Sequence, residues 1–330
     1  MSVPAQLKRA LTGLLIATSV FVFAGCAARH PAPITDPVEA RAAADSALVN
    51  LSAGETQAAI ASLDRVIASG KAQDSDYTRR AAAYGALGQY TQALADADAA
   101  IKLRPDAWRT YFQRSIFNQK LGKLDAAVDD LDRAIALNAD DASLLRRRGY
   151  LVLVAGRFQD AIAAYDRLGQ VEENSLAAAT GRGVALYVGG DWRAAAREFD
   201  KLLTEIPGDA ITALWFVKAS LRAPYPINWD RFEGVRSDDP EWRLLDALGA
   251  DEGLDSVLQT LATLTPAKDR KGITPCERAL FLGEWRMIRM QGEGAVADFE
   301  RAQKACPTDS IERTQAQTEL SRLMEHLPAG

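Results

Sequence analysis

The chain has 330 residues, 48% of them hydrophobic, 25% charged and 7% aromatic, the balance of a globular protein with a sizeable core and not of a disordered one. Its 39 basic and 44 acidic residues give a net charge of -5, which excludes nucleic-acid binding as the main activity, because phosphate recognition needs concentrated Lys and Arg. Its only two histidines, His30 and His326, stand near opposite ends of the chain, so no His-based triad or zinc site can be assembled, and neither catalytic residues, a metal nor a cofactor is expected.

The first segment reads as an export signal over residues 1–25. Lys8 and Arg9 precede the apolar stretch ALTGLLIATSVFVFAG, too short for a comfortable membrane span, and the small residues Ala24 and Gly25 precede Cys26. The tetrad Phe23-Ala24-Gly25-Cys26 resembles the lipobox of bacterial lipoproteins, with Phe23 where Leu is usual. That resemblance implies an acylated Cys26 as the first mature residue, and Ala27, where an Asp would retain the protein, implies sorting to the outer membrane of a Gram-negative cell. The alternative is a secreted protein cleaved nearby that leaves Cys26 as a thiol. Pro31, Pro33 and Pro37 make residues 26–39 a stiff tether.

The stretch GRGVALYVGGDWRAAAREF, residues 181 to 199, invites a phosphate-loop reading. A dinucleotide loop would also need a preceding buried strand and an acidic residue about 20 positions on, and no stretch here alternates as a strand does. A repeat explains the glycines instead. Gly-x-x-x-x-Ala recurs at Gly54, Gly88, Gly122, Gly156 and Gly190, always 34 residues apart. With glycine at ~7% of residues, four further matches in register would arise about twice in 100,000 trials.

This period and signature resemble the tetratricopeptide repeat, a helix-turn-helix unit, and imply an all-α fold in which antiparallel helix pairs stack into a right-handed superhelix. Units then start at Ala40, Asp74, Trp108, Ala142 and Leu176. Their eighth positions (Ala47, Ala81, Ser115, Gly149, Gly183) are small, and the alanines five after each turn glycine (Ala59, Ala93, Ala127, Ala161, Ala195) answer them, so the two helices of a unit cross closely. Tyr90, Phe158 and Trp192, then Leu63, Leu131, Tyr165 and Phe199, supply bulk between units. The turn glycines end first helices in a left-handed conformation, and Pro105 and Pro207 stop second helices. Gly181 is expected to face the inner side.

Residues 40–223 thus hold five units and the first helix of a sixth, AITALWFVKASLR. Residues 224–275 read as a non-repeat helical interlude, with Asp239 capping a helix that Pro240 opens. Residues 276–330 return to the pattern: Gly283, Ala295 and Phe299 fall at repeat positions, the turn glycine is displaced to Gly292, and a last helix over about 309–327, with Gln, Thr, Glu and Arg outermost, caps the solenoid. Antiparallel helices would bring Cys276 beside Cys306. A disulfide across that 30-residue separation contributes roughly 3 kcal/mol in the chain-entropy model and suits an oxidising compartment.

The inner surface is lined by positions 2, 5, 9, 12 and 13 of the first helices: Arg109, Phe112, Ile116, Gln119, Lys120, Arg146, Tyr150, Thr180, Val184, Tyr187, Leu214, Lys218 and Leu221. This groove is basic and aromatic in an acidic protein. It suits a peptide segment bearing acidic and apolar residues, because arginine grips carboxylates bidentately and aromatic rings give flat contact. The alternative is an empty solvated face, with partners on the convex edge. Carboxylates in ALADADAA and DDLDRA are expected on solvated faces.

The order of leader, repeats, GRGVALYVGGDWRAAAREFDKLLTEIPGD unit, LWF helix, interlude and FLGEW repeat resembles the NlpI-type outer-membrane lipoproteins. The resemblance implies a non-enzymatic periplasmic adaptor or scaffold that binds peptidoglycan hydrolases and a processing protease, touches the membrane through its lipid alone, and pairs as a homodimer. A different class of work for the same fold is a pilotin that helps assemble a pilus or secretin.

Overall fold

The computed structural model describes residues 36–326 except 53, 236–239, 250–252, 265–272 and 290. The export signal, Cys26 and the start of the tether lie outside the described residues, as does Asp239.

Ten helices form five consecutive antiparallel pairs: α1 (Pro37–Ser52) with α2 (Thr56–Ala68), α3 (Asp74–Ala86) with α4 (Tyr90–Leu103), α5 (Trp108–Lys120) with α6 (Leu124–Leu137), α7 (Ala142–Val154) with α8 (Phe158–Val171), and α9 (Leu176–Gly189) with α10 (Trp192–Glu205). The first helices of units two to five begin at the residues the 34-residue register gives, and α11 (Ala210–Arg222) extends it. Only α1 departs, starting at Pro37 instead of Ala40. No described helix precedes it, and proline's fixed φ suits the first helical position.

The turn between paired helices is the same each time. Gly54, Gly88, Gly122, Gly156 and Gly190 all have positive φ, between 73° and 97°, a region L-residues enter at a cost. Side-chain caps fix later starts: the carboxylates of Asp141, Asp191 and Asp209 and the hydroxyl of Ser175 accept hydrogen bonds from backbone N–H groups of the first turn.

Between the helices of each pair, small residues meet. Ala47, Ala81 and Ser115 are fully buried, as are Ala59, Ala93, Ala127, Ala161 and Ala195. Where glycine holds the eighth position, an aromatic ring fills the space, and a Cβ on Gly149 would stand 2.8 Å from Tyr165, one on Gly183 2.7 Å from Phe199. Gly181 does the same and does not face an open inner side: its Cβ would lie 2.3 Å from the Tyr165 ring, which the preceding unit wedges beneath α9.

Beyond α11 the array changes. A short 3-10 turn (Trp229–Phe232) precedes α12 (Pro240–Gly249) and α13 (Leu254–Thr263). Phe232 joins this interlude to the array, its ring 6.5 Å from Phe216 of α11 and 5.7 Å from Trp242 of α12. The pair α14 (Pro275–Ile288) and α15 (Gly292–Ala305) then restores the repeat geometry, with Thr274 and Glu277 forming a capping box before Pro275 and a Cβ on Gly283 due 2.6 Å from Phe299. Gly292 opens α15 and has no positive φ, so the displaced-turn reading of that glycine is incorrect.

The last helix, α16 (Ile311–His326), also departs from expectation. Its Thr314, Gln315 and Glu319, expected outermost, are buried. The helix does not stand as a cap on the end of the stack. It lies across the first helices of units four to six.

Candidate functional site: the concave groove

The first-helix residues that the register places in the groove fall into two environments. On α5, Arg109 is exposed with its guanidinium 4.4 Å over the Trp108 ring, and Phe112 and Ile116 are half-buried. Lys120, at the end of the same helix, donates from Nζ to Asp309 Oδ2 at 3.1 Å, and Gln119 Nε2 donates to the same oxygen at 3.1 Å. From α7, the Tyr150 hydroxyl donates to the Asp309 carbonyl at 2.9 Å. Burial, with Asp309 beside it, raises the Tyr150 pKa above that of a free phenol. Three groove residues therefore converge on a carboxylate-bearing turn of the chain itself. Arg146 turns to the rim, exposed and 3.6 Å from Glu172.

Further along, the groove is closed by α14 and α16. Val184, Tyr187 and Lys218 were expected to line an open surface; all three are buried, and Tyr187 is fully so. The Tyr187 hydroxyl donates to Glu284 Oε1 at 2.7 Å, Lys218 Nζ lies 2.8 Å from Glu284 Oε2, and Gln315 of α16 donates to the same carboxylate. Side-chain exposure is 8% for Lys218 and 1% for Glu284. Next to this pair, Arg222 of α11 grips Glu319 through two bonds of 2.7 and 2.8 Å, with exposures of 6% and 0%. Aromatic faces complete the seat: Lys218 Nζ is 4.0 Å from the Trp215 ring centre and the Arg222 guanidinium 4.0 Å from that of Trp192. Burial pushes the Tyr187 phenol well above its usual pKa, and the Glu284 charge adds to the shift.

The residues of α16 divide their work by chemistry. Ala316, Leu320 and Leu323 pack against α14 and α15 in one apolar cluster with Phe299. Facing the array are polar groups: Thr314 Oγ1 donates to the Val154 carbonyl at 2.7 Å, and Arg322 Nη2 to the Val188 carbonyl at 2.8 Å. Those carbonyls lie in the last turns of α7 and α9, where a helix has no internal donor for them. A disulfide between Cys276 and Cys306, with Cα atoms 4.7 Å apart, ties the start of α14 to the end of α15. Arg313 of α16 donates to the Cys306 carbonyl at 3.2 Å.

Two stretches of the array, residues 77–107 and 119–175, match models described as the tetratricopeptide repeat. These are tetratricopeptide repeats. Among solved structures, a tetratricopeptide repeat protein from Parabacteroides merdae is similar over 85% of this chain and 98% of its own, with a TM-score of 0.58 and 15% identity. The C-terminal part of a TPR repeat-containing protein from Cytophaga hutchinsonii is similar over 82% and 98%, with a TM-score of 0.51 and 17% identity. At such identity the likeness concerns the fold. No curated protein matches the chain in sequence.

Within the tetratricopeptide units one recurring feature escapes the periodicity of glycine and alanine. Arg80, Arg114, Arg148 and Arg182 occupy the same repeat position, and each reaches carboxylates 16 residues away. Arg80 holds Asp96 of its own unit at 2.6 Å and Asp64 of the unit before at 2.6 Å; Arg114 does the same with Asp130 and Asp98. The hydrogen bonds that Arg80 donates to Asp96, above all, raise the Arg80 pKa further above its normal value. Asp96 and Asp130 are buried, so the expectation of solvated carboxylates fails for them; Asp98 and Asp132, more exposed, clasp the arginine of the next unit. The Arg at a 34-residue interval, with Asp at minus 16 and Asp or Glu at plus 16 in units two, three and five, is visible in the sequence once sought. At unit four the forward partner is Ala164, leaving Arg148 with Asp132.

Among the described residues, no group of three His, Cys, Asp or Glu side chains is placed to hold a metal ion, and no helix is long and apolar enough to cross a membrane. The carboxylates that come together do so around arginines and Lys218, which gives structural ion pairs and not a proton-transfer dyad.

Proposed function

We propose that the protein is a non-enzymatic adaptor, tethered by acyl chains on Cys26 to the periplasmic face of the outer membrane, which holds protein partners in its concave groove. The observation that carries the reading is the division of that groove. Lys120, Gln119 and Tyr150 already hold one carboxylate-bearing segment, the chain's own Asp309 turn, while Arg109, Phe112 and Ile116 remain accessible beside it. The Phe23-Ala24-Gly25-Cys26 tetrad supports the anchor, and a disulfide between Cys276 and Cys306 suits a periplasmic location. Resemblance to the NlpI-type lipoproteins makes peptidoglycan hydrolases and a processing protease the partners to test, and a homodimer the assembly to look for.

The test is affinity capture from detergent-solubilised envelope with the mature chain beside an Arg109→Glu/Ile116→Asp variant. Wall hydrolases or a protease retained by the wild type and lost by the variant support the reading. Secretin or pilus components would assign the protein to pilotin work, and capture indifferent to the variant would move binding outside the groove. Intact mass of the membrane-extracted protein should carry a diacylglyceryl adduct; a soluble product without it removes the anchor.

A further inference from the structure

The C-terminal unit carries a cleft outside the concave groove, and its residues differ in kind from those at the same repeat positions of unit five. There the third, fourth and seventh positions of α9, Ala178, Ala179 and Arg182, line a cleft of about 280 Å³ between α8 and α10. Three carboxylates line it as well, Asp166, Glu198 and Glu205, and Arg182 pairs with the first two at 2.9 and 2.5 Å. The corresponding residues of α14 are Arg278, Ala279 and Leu282, and they line a larger cleft, of about 590 Å³, which half-buried Leu258 of α13 faces. The ladder arginine is here a leucine, and Glu205 has its counterpart in Ala305. On α15, Arg301 stands in the place of Lys201 and Lys304 in that of Thr204. Three cations and no carboxylate therefore line this cleft. Asp298, in the place of Glu198, is fully buried and shared by Arg286, at 2.8 Å, and Arg301. The Glu277 carboxylate accepts from the Thr274 N–H at 2.7 Å in the capping box. Among the described residues, no carboxylate lies within ion-pair distance of Arg278 or Lys304.

We infer that this cleft binds a single-chain anionic amphiphile, a fatty acid or a lysophospholipid, with the acyl chain against Leu258, Ala279 and Leu282 and the anionic head at Arg278, Arg301 and Lys304. The site is separate from the groove and does not depend on the adaptor reading. Arginine and lysine side chains are donors only, and no side chain lining the cleft accepts a hydrogen bond. A peptide laid there would bring backbone N–H groups that need acceptors, whereas an acyl chain brings none and its carboxylate or phosphate only accepts. The disulfide sets the spacing of the cations. Cys276 stands two residues before Arg278 and Cys306 two after Lys304, so their bond, with Cα atoms 4.7 Å apart, ties the two charges together across α14 and α15.

The probe is dodecanoate, titrated by calorimetry below its micelle concentration into the mature full chain carrying Cys26→Ala, so that no acyl group of the protein competes. Dodecyl phosphate runs beside it to tell a carboxylate head from a phosphate one, decanoate supplies a shorter chain, and dodecyltrimethylammonium reverses the charge. We expect one saturable site per chain for dodecanoate, dodecyl phosphate or both, and binding about two- to fourfold tighter for each added CH2. The cationic amphiphile should bind at least about tenfold more weakly. Arg278→Glu and Lys304→Glu should each weaken binding of the anions about tenfold or more, whereas Lys201→Glu, at the corresponding cleft of unit five, should leave it unchanged. Circular dichroism checks each variant, and Lys304→Glu, at an exposed side chain, carries the test if Arg278→Glu misfolds. Absence of saturable binding by both anions, uptake of many molecules per chain with loss of helix, indifference to chain length, equal binding of the cation, or indifference to Lys304→Glu overturns the inference.

Discussion

Replacing Glu284 by alanine should separate the C-terminal helices from the array. The carboxylate is 1% exposed and serves three groups at once: Lys218 at 2.8 Å, the Tyr187 hydroxyl at 2.7 Å, and Gln315 of α16. Its removal strands a buried ammonium, which costs about 3–5 kcal/mol, and leaves a buried hydroxyl without its acceptor, worth about 1–3 kcal/mol alone. The two terms share one site and do not add, so we expect a loss of about 4 kcal/mol. The Lys218→Met/Glu284→Leu double variant removes the stranded charge and should recover at least about 2 kcal/mol of that loss, since apolar replacement of a buried pair is often close to neutral. Urea unfolding of both singles and the double gives the coupling energy, and hydrogen exchange on α16 amides detects local undocking that precedes global unfolding. A single-variant cost below about 1 kcal/mol, or strictly additive variants, would show that Glu284 does not hold α14 and α16 in the groove.

Other perturbations test neighbouring parts of the argument. Arg114→Ala leaves buried Asp130 with the Asn118 amide but no counter-charge and should cost about 2–4 kcal/mol, whereas Arg148→Ala, whose partner Asp132 is 48% exposed, should cost under about 1 kcal/mol; equal losses by urea titration would refute the ladder. Gly181→Ala drives a methyl against Tyr165 and should lower stability by about 1–3 kcal/mol, while Gly292→Ala, with no atom within 4 Å, should be neutral or stabilising, readable from thermal midpoints. Burial pushes the Tyr165 pKa up to about 12, so above pH 10 the unfolded phenol ionises while the native one keeps its proton. Tyr165 therefore contributes a loss of about 1.4 kcal/mol per pH unit between about pH 10 and pH 12, in addition to that from buried Tyr187, and Tyr165→Phe should reduce the slope by that amount without abolishing it in unfolding titrations across that range.

The repeats were readable because their signals depend on single residues. A left-handed turn selects glycine, and Gly54 to Gly190 fall in register for that reason; a close helix crossing selects alanine, and Ala59 to Ala195 follow. The seat of α16 was not readable. Thr314, Gln315 and Glu319 have the composition of a solvated face, and only their partners reverse it. Those partners lie far off in sequence, Glu284 97 positions after Tyr187 and Glu319 97 after Arg222, beyond the reach of any periodicity. The same fact explains why Val184, Tyr187 and Lys218 looked like binding residues: their positions are those of the groove, but the chain fills that part of it. Arg109, Phe112 and Ile116 keep the expected exposure because α16 begins only beyond Lys120.

The groove claim is tested most directly by a photo-reactive benzoylphenylalanine placed at Ile116 and, in a parallel chain, at exposed Asp129 of α6, followed by irradiation of intact envelopes and mass spectrometry of the adducts. The account predicts discrete protein adducts at position 116, suppressed by Arg109→Glu, and none at 129. Adducts at 129 alone, or adducts at 116 that persist in the Arg109→Glu chain, would contradict a partner seated in the open half of the groove.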